Sequence, residues 1–78
     1  MMSVNTAKEL LYDHPKVLNE VDSFGLTFVH WAVMSNDLPL VQFLIEKGAN
    51  PFKKSEKNES CLDVAKRMNF IRIMDYLT

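Results

Sequence analysis

The residues with chemical potential in this chain are His14, His30, Cys61 and a scatter of hydroxyl and carboxylate side chains. A histidine beside a cysteine can generate a thiolate nucleophile. Cys61 and His30 are the two residues that could do so here. That chemistry also needs an oxyanion donor and an acid that orients the imidazole, and no pattern around either residue supplies them. The blander reading of Cys61 is a small buried thiol. His14 and His30 are the only histidines and Cys61 is the only cysteine, so no Cys-x-x-Cys pair or Cys/His cluster is present to ligate a metal. Phosphate cradles are built from glycine-rich loops. The chain has two glycines, Gly25 and Gly48, each read as a turn or cap residue. No cofactor is expected. His30 follows Thr27 by three positions, and a buried polar group with a partner at that spacing reads as structural.

The elements that would position these side chains follow from composition and repetition. Seventy-eight residues make one small domain, and the 47% apolar content suits a folded chain. Net charge is −1, and the densest basic stretch, Lys53-Lys54, is followed by Glu56, Lys57 and Glu59. Nucleic-acid binding requires a one-signed basic face, so that class is not expected. No apolar run approaches the ~18 residues of a membrane span. The segment Met1-Met2-Ser3-Val4-Asn5-Thr6 lacks the apolar core of a signal peptide. Together with the lone cysteine this points to an intracellular setting, cytoplasmic or nuclear. Asn58-Glu59-Ser60 fits the glycosylation sequon and is read as a chance match in that setting.

Residues 25–44 and 58–77 align without a gap. Thr27 falls on Ser60, Val29 on Leu62, Ala32 on Ala65 and Asn36 on Asn69. Leu38, Leu40, Val41, Phe43 and Leu44 fall on Ile71, Ile73, Met74, Tyr76 and Leu77. Each copy reads as two short helices. Thr27 and Ser60 are N-caps of the first helix, and Asp63 completes a capping-box pattern with Ser60. The helix stops near Asn36-Asp37 or at Asn69, residues that tolerate left-handed backbone. Pro39 fits the first turn of the second helix. Leu40, Val41, Leu44 and Ile45 form its buried stripe, and Gly48 ends it. Residues 49–60 form an extended polar loop. Upstream, Thr6-Ala7-Lys8-Glu9 reads as a capping box, Leu10, Leu11 and Tyr12 as apolar contacts, and Pro15 as a helix break.

The segment Asp22-Ser-Phe-Gly25-Leu-Thr27-Phe-Val-His30-Trp-Ala32 resembles the ankyrin signature D-x-x-G-x-T-P-L-H-x-A. Leu40-Val41-Gln-Phe-Leu44-Ile45-Glu-Lys-Gly48-Ala49-Asn50 resembles that family's I-V-x-x-L-L-x-x-G-A-D, and the repeat offset of 33 is the ankyrin period. The resemblance implies an all-α solenoid of paired antiparallel helices joined by hairpin-like loops. One domain, 1–78, would hold a partial repeat (1–21), a full repeat (22–54) and a C-terminal repeat (55–78). It implies that Thr27 and His30 hydrogen-bond each other and the neighbouring backbone. Phe28 and Cys61 stand where the family has Pro, at some cost in stability, and Phe52 where it has a turn-stabilising Asn, so a looser finger is expected. Trp31 stands where the family packs an apolar residue, so it is expected in the core or between repeats.

The function implied is protein–protein interaction without catalysis. Family contacts come from the hairpin tips and the open side of each first helix. Those positions here are Ser23, Phe24, Leu26, Met34 and Ser35, then Glu56, Lys57, Glu59, Arg67 and Met68, with Lys47 and Lys54 at the margin. Phe24, Leu26 and Met34 are apolar where neither capping nor core patterning requires it, which favours a contact surface over chance. The alternative is that Phe24 and Leu26 tuck against the neighbouring loop. A second reading is assembly. Leu10, Leu11 and Tyr12 at one end and Ile73, Met74, Tyr76 and Leu77 at the other would be incompletely covered. They would stack on further repeats or on a second copy.

Overall fold

The structure is a computed structural model, described for residues 4–78. The first three residues, which belong to the N-terminal signal reading and to the partial repeat at 1–21, lie outside the described residues. Five α-helices follow in order: α1 (Val4–Asp13), α2 (Phe28–Met34), α3 (Leu38–Glu46), α4 (Cys61–Met68) and α5 (Ile71–Leu77). A 3-10 helix, Pro15–Asn19, lies between α1 and α2. Helices α2 and α4 pack side by side in one layer, and α1, α3 and α5 in a second. Each pair, α2 with α3 and α4 with α5, is closed by a tight turn.

Local chemistry explains these boundaries. The Thr27 hydroxyl accepts from the His30 N–H at the start of α2, and the Ser60 hydroxyl accepts from the Asp63 N–H at the start of α4. The side chains of His30 and Asp63 return the favour to the N-cap backbone, so both are reciprocal capping boxes. Asn36 and Asn69 take left-handed backbone, φ 53° and 59°. Asp37, read in the sequence only as part of a stop, is the N-cap of α3 and accepts from Leu40 N–H. Pro39 sits in that first turn, where no intrahelical donor is needed. The buried stripe of α3 is Leu40, Val41 and Leu44, with Ile45 half-buried beside it.

Three expectations are corrected, at Thr6, Ile73 and Tyr12. Thr6 is an interior residue of α1, not its cap, because the helix already runs at Val4 and is held in register by the buried Ala7. Pro15 does end α1, but the chain then winds into a 3-10 turn that inserts Leu18 into the core beside Gly48. Ile73 is fully buried rather than half-covered, since α5 packs on both α4 and α3. Tyr12 gives the core nothing and is 87% exposed. The core proper joins Val29, Val33, Val41, Leu44, Cys61, Val64 and Ile73, with His30 as its buried polar member.

Candidate functional site

Two finger-like turns precede the inner helices, and they are copies of one another. In the first, the Asp22 N–H donates to the Leu26 carbonyl at 3.0 Å and the Gly25 N–H to the Asp22 carbonyl at 3.0 Å. In the second, the Ser55 N–H donates to the Glu59 carbonyl at 2.9 Å and the Asn58 N–H to the Ser55 carbonyl at 2.8 Å. Gly25 and Asn58 both take positive φ, 75° and 63°, which glycine and asparagine accept most readily. The fingers touch through the Glu56 N–H, which donates to the Phe24 carbonyl at 3.1 Å. A β-carbon at Gly25 would lie 2.8 Å from that same nitrogen, so only glycine allows this approach. The Asp22 carboxylate accepts from the Phe24 and Leu26 N–H groups and from the Trp31 indole, all at 2.9 Å. Partial desolvation pushes its pKa up, but these hydrogen bonds outweigh it and hold the group below its ordinary value.

His30 joins one repeat to the next. Its Nδ1 accepts from the Thr27 N–H at 3.1 Å and lies 2.8 Å from the Thr27 hydroxyl. Nδ1 is therefore the acceptor, and the proton sits on Nε2, which donates to the Glu59 carbonyl at 3.0 Å. The equivalent residue in the next copy, Asp63, folds back on Ser60, accepting from its N–H at 3.0 Å and its hydroxyl at 3.2 Å. Those bonds, led by the backbone one, hold the Asp63 carboxyl below its ordinary range, with Lys54 and Lys66 assisting.

Between the two fingers and the two inner helices lies a cleft of 170 Å³. Phe24 and Leu26 of the first finger, Met34 of α2 and Val64 of α4 form its apolar walls. Its charged rim is Glu56, Lys57, Glu59 and Arg67. Arg67 Nε donates to Glu59 Oε2 at 2.8 Å, and the Arg67 Nη1–H reaches Met68 Sδ at 3.6 Å.

A family model described as ankyrin repeats in many copies matches residues 29–78. The chain belongs to the ankyrin-repeat family. Its ankyrin repeats are 35% identical over 51 residues to part of the human palmitoyltransferase ZDHHC17. They are 40% identical over 48 residues to ankyrin repeat protein T5 of Rabbit fibroma virus, and 34% identical over 58 residues to the human mitochondrial disaggregase. These matches cover 65%, 62% and 73% of this chain but only 8%, 10% and 8% of the respective relatives. Ankyrin repeats are generally protein-interaction modules, and the likeness to the palmitoyltransferase and to the disaggregase is confined to a small part of each.

On this ankyrin scaffold the residues singled out from sequence fall into distinct places. Phe24, Leu26, Met34, Glu56, Lys57, Glu59 and Arg67 come together around the cleft. Ser23 is exposed near the finger tip and Met68 beside Arg67, both outside the cleft lining. Ser35 lines a separate groove with Phe28 and Trp31. Lys47 is not at the margin of this face, because it lies on the outer layer over the Phe43 ring. Val64 is a wall residue that the sequence reading did not single out. Trp31 is a further correction. It is 47% exposed rather than packed, opening on a groove shared with Leu10 and Val17, and its indole N–H donates to Asp22.

Catalytic chemistry at Cys61 has no support in this ankyrin geometry. The thiol is fully buried, and burial pushes its pKa up to about 12. Both ring nitrogens of His30 are committed to Thr27 and Glu59. Among the described residues no group of three or more His, Cys, Asp or Glu side chains is placed to hold a metal ion, and no helix is long and apolar enough to cross a membrane.

Proposed function

We propose that the cleft is the recognition surface of a non-catalytic protein-binding module acting inside the cell, in cytoplasm or nucleus. The observation that carries this is an apolar hollow in the exposed face of the fingers, walled by Phe24, Leu26, Met34 and Val64 and ringed by charge. Phe24 is 62% exposed, so its ring is not spent on covering a neighbouring loop. A cavity of about 150 Å³ with apolar walls holds a benzene ring. The cleft therefore has room for one large apolar side chain of a partner, the kind of central anchor that dominates binding energy. Glu56 and Lys57 at the rim set orientation rather than affinity, as exposed charges do. Ser23, Ser35 and Met68 would contact only a partner that extends beyond the cleft. The single buried thiol suits a reducing compartment.

The test compares the native chain with a Phe24→Ser, Leu26→Ser, Met34→Ser variant whose helicity has been checked by circular dichroism. Each is used to capture proteins from a lysate. A protein retained by the native chain and lost with the folded variant supports the cleft. The same set retained by both removes it from consideration.

One observation favours a second reading, assembly by stacking. Val64 and Trp31 are repeat-equivalent, yet Val64 is 2% exposed because α2 covers it, whereas Trp31 is open. Grooves of 280 and 200 Å³ flank Trp31 and share Phe28 as a wall. The proposal is that a further repeat or a second copy stacks there. A mass in sedimentation that rises with concentration supports it, and a strict monomer at high concentration counts against the homodimer.

A further inference from the structure

On the outer layer, away from the cleft, two lysines converge on one aromatic ring. Lys8 Nζ of α1 lies 5.8 Å from the centroid of Phe43, and Lys47 Nζ, just past the end of α3, lies 5.6 Å from it. Lys8 and Tyr12 are one helical turn apart on α1, and Phe43 and Lys47 are one turn apart along α3, so each element offers one cation and one aromatic ring. With Leu11 these four side chains line a hollow of 340 Å³ between the two helices. Neither lysine has an ion-pair partner among the described residues, although Glu9, Asp13 and Glu46 are near in sequence. Two like charges thus lie within cation–π distance of one ring, over an apolar floor. A stem of lysine often lies along apolar surface with its head in water. What that habit does not account for is that the two cations come from different elements and line one hollow beside the same ring.

We propose that this hollow binds an organic anion with an apolar body: the carboxylate or phosphate lies between Lys8 and Lys47, and the apolar part lies on Leu11, Tyr12 and Phe43. The charge selects an anion and the floor selects against a bare inorganic one. The ligand class is separate from the partner side chain assigned to the cleft, and the two sites lie on different layers of the stack, so each stands without the other.

The experiment is an amide-resolved NMR titration of the full chain with 3-phenylpropionate, with neutral 3-phenylpropanol and with inorganic phosphate, at constant ionic strength. The expected result is saturable shifts confined to residues 8–12 and 43–47 with 3-phenylpropionate. The alcohol and inorganic phosphate should each bind at least about tenfold more weakly, the scale of losing a charge-assisted contact or the apolar one. A Lys8→Gln, Lys47→Gln variant with unchanged melting should lose the shifts, and Lys8→Arg, Lys47→Arg should keep them. Phenyl phosphate in place of the carboxylate distinguishes the two anion sources by relative affinity. Equal binding of acid and alcohol, equal binding of inorganic phosphate, or shifts that persist in the Gln variant or centre on Lys53 and Lys54 would each overturn the proposal.

Discussion

The Nε2–H of His30 donates to the backbone carbonyl of Glu59 at 3.0 Å, across the boundary between two repeats. The same Glu59 holds Arg67 through its side chain at 2.8 Å. One residue thus fixes the spacing between helix α2 and the second finger while its carboxylate shapes the rim of the cleft. Replacing His30 with Ala takes the side-chain acceptor from the Thr27 N–H, leaves the Glu59 carbonyl with the Ser55 N–H as its remaining donor, and opens a void in the core. The expected loss is about 2–4 kcal/mol, from the lost hydrogen bonds plus the cavity. Urea unfolding followed by circular dichroism measures it, and a loss below ~0.5 kcal/mol, the range of ordinary surface changes, would show that the tie is not structural.

Gly25 and Asn58 occupy the same position of the two fingers but under different constraints. Gly25→Ala places a methyl 2.8 Å from the Glu56 nitrogen in a left-handed backbone, and should cost about 1–3 kcal/mol. Asn58→Gly relaxes a φ of 63° and should stay within about 0.5 kcal/mol of the native chain. Thermal melts of both variants decide it, and equal destabilisation would mean that the finger contact is unimportant.

Cys61 gives a pH signature at the alkaline end. Its ordinary pKa of 9.0 applies to the unfolded chain, while burial raises the folded value to about 12. The unfolded state loses this proton first, so above pH 9 it is favoured and stability falls as pH rises toward the folded value. The expected result is a steeper loss of stability as pH rises from 9.0 toward about 12 for the native chain than for Cys61→Ala. A thiol reagent at neutral pH should label the native protein only as fast as it opens, and prompt labelling would contradict the burial.

Trp31 is the only tryptophan, so its fluorescence reports on the free face of α2 alone. Being half exposed, it should be quenched by acrylamide at low concentration. If stacking occurs there, quenching should fall and emission move to the blue as concentration rises. Trp31→Lys should shift stability by about 1 kcal/mol or less, since the ring buries part of its surface and makes one exposed hydrogen bond. A large loss would return Trp31 to the core.

The sequence by itself determined the repeat, the helix pairs and most of their ends. Those are set by short-range rules: the hydroxyls of Thr27 and Ser60 cap the next turn, Asn36 and Asn69 take left-handed backbone, and Leu40, Val41 and Leu44 share one face. It also singled out Phe24, Leu26 and Met34, because their apolar character had no local use. Only the tertiary structure decided which of the marked residues meet. Arg67 pairs with Glu59, Val64 joins the cleft wall, and Lys47 turns away to meet Lys8 over Phe43. The fate of Trp31 and Ile73 was likewise invisible along the chain, since burial depends on which helix lies opposite. An equivalent position in two repeats has the same pattern in sequence but a neighbour on one side in only one of them. Val64 lies buried against α2 whereas Trp31 opens on a groove shared with Leu10 and Val17, and that difference belongs to packing rather than to any local signal.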